Sequence, residues 1–203
     1  MGIQGSLFGH EQVGFDPSFE QLTRYDLGDG AWIEHAAGFV EGHERLMAEL
    51  GFRTRWRRDH LYINGEQVLL PRLVAHVPDG VEMHRSLTDL QRRLGERYET
   101  RFEHVSLSLY RDGQDSVSWH GDRGARELST SLMATVSLGN PRPFQLRPKQ
   151  SKGVRRRPLT LQLGWGDLLV MGGSIQKTWE HCVPKRPHAD PRLVVMFRQH
   201  DAD

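Results

Sequence analysis

From Val105 onward the chain changes its period. Val105, Leu107 and Leu109 alternate with His104, Ser106 and Ser108, the every-second-residue pattern of a strand with one apolar face. Short apolar or alternating runs then recur and predict strands over Ser116–Trp119, Ser131–Leu138, Phe144–Arg147, Leu159–Leu163, Asp167–Met171 and Leu193–Arg198. Gly or Pro falls between most of them, at Gly113, Gly139-Asn140-Pro141, Pro158, Gly164 and Gly172-Gly173, and such residues turn one strand into the next. A short strand cannot satisfy its own N–H and C=O groups. So many in series must pair with one another, in a sandwich or a barrel.

Upstream the period is helical. Glu41 to Leu50 places Leu46, Met47 and Leu50 on one side. Ser86-Leu87-Thr88-Asp89 resembles a capping box, opening a helix in which Leu87, Leu90, Leu94 and Tyr98 share a face and which ends before Arg101. Ala31-Trp32-Ile33 predicts a short strand, and Asp16-Pro17-Ser18 a turn. Two helices followed by a strand series argue for α+β, with a jelly roll or similar double-sheet barrel. At 203 residues without repeats or a long linker, one domain over residues 1–203 is expected. The net charge of +1 leaves any attraction for nucleic acid to local patches. Cys182 is the single cysteine, which excludes an internal disulfide and fits a reducing compartment. With no basic-then-apolar leader and no apolar run near the roughly 18 residues of a membrane span, an intracellular, cytoplasmic protein without a membrane partner is expected. A nucleoid or nuclear association is compatible with that.

The strand series also carries chemistry. His120-Gly121-Asp122 is followed by His181, then by Pro191-Arg192-Leu193-Val194-Val195-Met196-Phe197-Arg198. On a strand, His120 and Asp122 point the same way, and His181 approaches from a later strand. Two imidazoles and one carboxylate can hold Fe(II) on one face and leave other positions open, whereas a structural zinc site would call for thiolates. His-x-Asp alone is equally compatible with two polar residues turned to solvent. Arg192 and Arg198 frame an apolar strand and face one side of it. A buried arginine needs a partner, and a dicarboxylate co-substrate offers a bidentate one; the alternative is an edge strand keeping both arginines in water.

The segment Ser108-Leu109-Tyr110-Arg111-Asp112-Gly113-Gln114-Asp115-Ser116-Val117-Ser118-Trp119-His120-Gly121-Asp122 resembles the AlkB family of Fe(II)/2-oxoglutarate dioxygenases. Trp179-Glu180-His181-Cys182-Val183-Pro184-Lys185 and Pro191-Arg192 to Phe197-Arg198 continue the similarity in order, with Pro71-Arg72 as an early marker. The resemblance is strongest over residues 71–203 and implies a double-stranded β-helix (jelly-roll) core with flanking N-terminal helices. It makes residues 1–70 an extension and part of the substrate lid. It implies that His120, Asp122 and His181 are the iron ligands and catalytic centre. Tyr110 and Arg192 would take the distal carboxylate of 2-oxoglutarate, Arg198 would lie near its chelating end or the substrate, and O2 would complete the site. Ser108 and Val194 stand where the family usually has Asn; serine can still donate a hydrogen bond and valine cannot. Gly124 replaces an acidic residue that helps read the base in relatives.

An enzyme of this class working on a base must take it out of the stack and hold it, usually against aromatic faces. After Pro71-Arg72 the chain instead reads Leu73-Val74-Ala75-His76-Val77-Pro78, leaving His76, Trp119, Trp56 or Tyr62 as stacking candidates, each with core packing as its alternative. The basic run Arg147, Lys149, Lys152, Arg155, Arg156 and Arg157, and the second run Arg53, Arg55, Arg57 and Arg58, can neutralise phosphates or merely face water. Arg155, Arg156 and Arg157 are the expected contacts to an alkylated DNA or RNA partner, met by a monomer. The expected activity is oxidative dealkylation of 1-methyladenine or 3-methylcytosine type bases. The same iron chemistry on a protein or small molecule is the alternative, and an inactive nucleic-acid-binding module the third reading.

Overall fold

The computed structural model describes residues 12–63, 65–77, 83–122, 131–149 and 157–199, with the side chains of residues 61–63 left aside. Before the second helix it holds β1 (Gly14–Phe15), β2 (Thr23–Gly28), β3 (Ala31–Ala36), β4 (Val40–Glu41), helix α1 (His43–Arg53), β5 (His60–Ile63), β6 (Glu66–Leu69) and β7 (Leu73–Val77). Helix α2 (Arg85–Arg97) follows, then β8 (His104–Tyr110), β9 (Val117–His120), β10 (Met133–Gly139), β11 (Arg142–Pro148) and β12 (Leu159–Leu163). The chain continues through β13 (Asp167–Gly173), the short helix α3 (Ile175–Thr178), β14 (Trp179–Val183) and β15 (Arg192–Arg198). No helix among the described residues is long and apolar enough to cross a membrane.

Two antiparallel sheets form the body, one ordered β2-β3-β13-β10-β15-β8-β7 and the other β12-β11-β14-β9. This is the arrangement of a jelly-roll core. Two apolar layers follow from it. One lies on the outer face of the large sheet, where Leu46 and Leu50 of α1 and Leu87, Leu90 and Leu94 of α2 meet Val105, Leu107, Val136, Val195 and Phe197. The other lies between the sheets, where Tyr110, Met133, Leu169 and Val194 meet Phe144, Leu146, Leu163 and Val183.

Several local expectations change. The alternation in β8 predicts a half-buried strand, yet Val105, Ser106, Leu107, Ser108 and Tyr110 are all buried. The large sheet is covered on both faces, so the serines of the polar face look into the space between the sheets rather than into water. Helix α2 begins at Arg85, not at the Ser86 box, and His84 caps it: its Nδ1 accepts from the Ser86 backbone N–H at 3.2 Å. Ser86 cannot cap because its Oγ donates to the Val13 carbonyl at 3.0 Å. Helix α1 starts at His43, because Gly42 before it is left-handed (φ 64°), with Gln12 O 2.9 Å from where a Cβ would stand. The N-terminal part is thus as rich in strands as in helices. Strand β7 adds an edge to the large sheet, and the chain before it bridges β7 once, with Arg57 and Val74 exchanging hydrogen bonds of 3.0 Å each way.

Candidate metal centre

Strand β9 is the rim of the small sheet. It meets β14 at His120–His181 and Val117–Val183, with a bulge between the pairs. The bulge turns Val117 and His120 together toward the inter-sheet space. Asp122 lies just past the end of β9 rather than two residues along it, so its direction is set by contacts, not by pleating. Its backbone N–H donates to Gln176 Oε1 at 2.9 Å, and its Oδ2 accepts from Arg198 Nε at 3.1 Å. The connecting Gly121 has no room for a side chain, since a Cβ there would sit 2.8 Å from Gln176 O.

The three candidate ligands converge. One donor atom from each of His120, Asp122 and His181 lies within 4.8 Å of the others. His120 Nε2 is 3.9 Å from Asp122 Oδ1, and the two imidazole centroids are 4.3 Å apart. His120 Nδ1 lies 2.8 Å from the Ser118 carbonyl. A carbonyl only accepts, so Nδ1 is the donor and Nε2 is the nitrogen left to face the centre. His181 is buried and stacks on Phe144 at 5.3 Å. Burial first, then the charge of His120, pushes its pKa down to about 3, so it is a neutral imidazole. For Asp122 burial alone would raise the pKa; Arg198, then His181 and His120, outweigh it and hold the carboxyl below its usual value. Two imidazoles and one carboxylate on one side of a common point make a facial donor set suited to Fe(II).

Beside the triad runs a pocket lined by Arg72, Ser108, Tyr110, Thr135, Arg192 and Val194, among others. Arg192, 2% exposed, is at its inner end. Its Nη2 donates to Ser137 Oγ at 2.7 Å, its Nε has no partner, and its guanidinium lies 5.4 Å from the Tyr110 ring centroid. No carboxylate among the described residues forms an ion pair with it. Burial pushes its pKa down to about 10, which still leaves it charged at neutral pH. A buried cation with donors to spare fits an entering carboxylate. Ser108 Oγ accepts from Arg72 Nε at 3.2 Å, and Arg198 Nη1 donates to Ser106 Oγ at 2.6 Å. Arg142 is a different kind of buried arginine: it donates to the carbonyls of Asp112, Asp115 and Pro184 at 2.9–3.0 Å and so ties down the loop after Tyr110.

The other expected substrate contacts lie elsewhere. Trp119 points to the outer face of the small sheet, where its ring sits 4.2 Å under the Arg147 guanidinium, which donates to Glu180 at 2.8 and 3.0 Å. The bulge that aims His120 inward turns Trp119 outward. Trp56 packs into the outer apolar layer, with Nε1 donating to Gly51 O at 3.1 Å. His76 is at the sheet edge with its side chain 58% exposed. It pairs with Ser106 across β7 and β8, so it shares the face of the large sheet that carries the site. Arg157 is exposed before β12, while Arg155, Arg156 and Gly124 lie outside the described residues. Sequence reasoning missed Arg142, set between two prolines like a turn residue, and Gln176, in a four-residue helix; Gly173-Ser174 and Trp179 bracket the latter and were its available signal.

Comparison with known proteins fits this geometry. The sequence model of the 2OG-Fe(II) oxygenase superfamily matches residues 53–199, which include the triad and Arg192. The alpha-ketoglutarate-dependent dioxygenase alkB homolog 3 of Homo sapiens is 34% identical over 123 residues, 57% of this chain and 42% of that protein. The DNA oxidative demethylase ALKBH2 of Bos taurus is 38% identical over 104 residues, 48% of this chain and 37% of that protein. The matches thus span about two-fifths of these relatives' lengths. A 2OG-Fe(II) oxygenase family oxidoreductase from Burkholderia pseudomallei shares the fold, with a TM-score of 0.54 over 84% of this chain and 86% of that one, at 16% identity. With well over half of its residues matched, and with AlkB homologues among its relatives, the chain belongs to the 2OG-Fe(II) oxygenase superfamily.

Proposed function

We propose that the protein is an Fe(II)/2-oxoglutarate-dependent dioxygenase that oxidatively removes alkyl groups from nucleobases in DNA or RNA. The observation that carries this reading is the pairing of the His120–Asp122–His181 donor set with a buried, carboxylate-free Arg192 in one pocket. Its likeness to the DNA oxidative demethylase ALKBH2 supports the substrate class. In this reading residues 1–203 form one domain, with the two sheets as a double-stranded β-helix flanked by α1 and α2. It acts as an intracellular monomer on alkylated nucleic acid.

His120 Nε2, His181 and the Asp122 carboxylate would hold the metal. Iron, 2-oxoglutarate and O2 together supply the oxidising power that turns an N-alkyl carbon into released formaldehyde, with succinate and CO2 as co-products. The chain's own residues orient and shield. Arg192 would receive the distal carboxylate of the co-substrate, with Tyr110 beside it. Ser108 keeps a hydroxyl on the pocket wall, fixed by Arg72, whereas Val194 contributes only apolar surface. Arg198 holds the free oxygen of Asp122 and so fixes which oxygen faces the metal. Phe144 and Leu163 keep water from the inner wall.

With Fe(II) and 2-oxoglutarate, the protein should release succinate in step with demethylation of an oligonucleotide carrying 1-methyladenine or 3-methylcytosine. Demethylation that survives His120→Ala would overturn the assignment. A second reading, the same chemistry on a protein or small molecule, is favoured by one observation: Trp56 and Trp119 both face away from the pocket. A panel of methylated DNA, methylated RNA and free nucleosides separates the two.

A further inference from the structure

Among the described residues, three arginines line the metal pocket, Arg72, Arg192 and Arg198, against a single carboxylate, Asp122. Arg198 meets that carboxylate at 3.1 Å. Arg72 and Arg192 therefore bring two positive charges to the pocket wall that no described carboxylate matches. Arg72 is the residue before β7, so contacts rather than pleating set its direction. Its Nε donates to Ser108 Oγ at 3.2 Å, which holds the guanidinium at the pocket and leaves both Nη groups to spare. The backbone beside it is held as well. Arg111 forks onto Asp115 at 2.8 and 2.9 Å and donates its Nη2 to the Pro71 carbonyl at 2.9 Å.

The pairing of β8 with β15 fixes where this contact lies along the pocket. Tyr110 pairs with Arg192, Ser108 with Val194, and Ser106 with Met196. Ser108 thus stands two residues, about 7 Å, from the level of the inner cation Arg192 toward the metal donors. Two residues further, Ser106 accepts from the Arg198 that holds Asp122. At the middle level the neighbours of Ser108 on β7 and β15, Val74 and Val194, are apolar. The Ser108 hydroxyl and the Arg72 guanidinium are the polar groups that the large sheet offers there.

We propose that Arg72 binds the carboxylate at the oxo end of the 2-oxoglutarate co-substrate, while Arg192 takes the far carboxylate. This rests on the dioxygenase reading and deepens it, by giving a second cation of the pocket to the co-substrate rather than to the substrate. A planar guanidinium anchored by its Nε presents its Nη groups to a carboxylate as a fork. Two unmatched cations at successive levels of one pocket suit a dianion charged at both ends better than a single compact anion.

The test measures Kd by isothermal titration calorimetry on full-length protein loaded with Mn(II) in place of Fe(II), so that binding is read without turnover. The ligands are 2-oxoglutarate and 2-oxopentanoate, which keeps the oxo end and lacks the far carboxylate. Arg72→Gln should weaken both by one factor, roughly tenfold to a hundredfold for lost charge-assisted hydrogen bonds. Arg72→Lys should weaken both by less, and Arg192→Met should weaken 2-oxoglutarate alone. In a Ser108→Ala background, Arg72→Gln should still lose about tenfold, which a residue acting only through Ser108 would not. Mn(II) uptake reports that each variant is folded, and Arg72→Lys carries the test if the Gln variant is not. An unchanged 2-oxoglutarate Kd in Arg72→Gln, a loss confined to 2-oxoglutarate, or no further loss in the Ser108→Ala background would each overturn the proposal alone. If the Mn(II)-loaded wild type binds neither 2-oxo acid, the dioxygenase reading falls and the proposal with it.

Discussion

Arg192→Met separates a cation kept for a ligand from one kept for the fold. In the free protein Arg192 is 2% exposed, with one hydrogen bond to Ser137 and an unpartnered Nε. Burial pushes its pKa down to about 10, well below the usual guanidinium value. At 1.36 kcal/mol per unit, holding this charge costs the fold about 3 kcal/mol. Methionine fills most of the same space without the charge, and the lost hydrogen bond gives back about 1 kcal/mol. The metal-free variant should therefore be more stable than wild type by about 2 kcal/mol, a rise in Tm of roughly 4–8 °C for a chain of this size. The sign fixes the pH window. A base with a lowered folded pKa destabilises fully below about pH 10, so the advantage holds at neutral pH and shrinks as pH rises above 10 toward the usual guanidinium value. Urea unfolding at pH 7 measures it. The second readout is the Tm gain on adding 2-oxoglutarate, which wild type should show and the variant should lose. A variant 1 kcal/mol or more less stable than wild type, or one that keeps the 2-oxoglutarate gain, would refute the reasoning.

Arg142→Met should do the reverse, because it orphans the carbonyls of Asp112, Asp115 and Pro184. At about 1 kcal/mol for each, the urea midpoint should fall by the equivalent of about 3 kcal/mol, with faster amide exchange over residues 112–116. Asp115 predicts an acid limb. Burial alone would raise its pKa, but hydrogen bonds from the Arg111 side chain and backbone hold it below the usual carboxylate value. A lowered carboxylate pKa stabilises above the unfolded value and loses that contribution as pH falls through the folded one. Asp115→Asn should thus cost about 2 kcal/mol at pH 7 through the lost hydrogen bonds to a charged group, and the cost should shrink as pH falls below the ordinary carboxylate range, as read by urea unfolding across an acid series.

The strand series was legible because its strands are buried on at least one face, and burial writes period two into the sequence. Strands β8, β10, β12, β13 and β15 all fall where the apolar runs predict them. Strand β2 left no such trace: Thr23, Arg24, Tyr25 and Asp26 are exposed, and beyond its backbone pairing to β3 it is held by Arg24, which meets Glu34 at 3.3 Å and lies 3.9 Å over the Trp32 ring, contacts that write no apolar period. Strand β14 is buried yet hard to read, since its inward His181 is polar for chemical reasons and breaks the apolar pattern. The same holds for the site. His120, His181, Arg192 and Arg198 are visible as polar residues at strand positions where packing would prefer apolar ones, and Asp122, just past the end of β9, by its spacing from His120. Gln176 and Arg142 act by holding backbone groups, and a residue that serves another residue's main chain has no spacing rule to betray it.

Strand β9 has a consequence for how a metal would come and go. It is four residues long, lies at the rim of the small sheet, and meets β14 through two pairs and a bulge. Short rim segments open at much lower free energy than a buried sheet. His120 therefore sits on the most easily opened strand of the site, while His181 is fixed in the buried interior of β14. The residence time of a bound ion is then set by fraying of one edge rather than by unfolding of the domain. A chelator should strip the ion from protein that stays folded, and fresh ion should reload it without a refolding step.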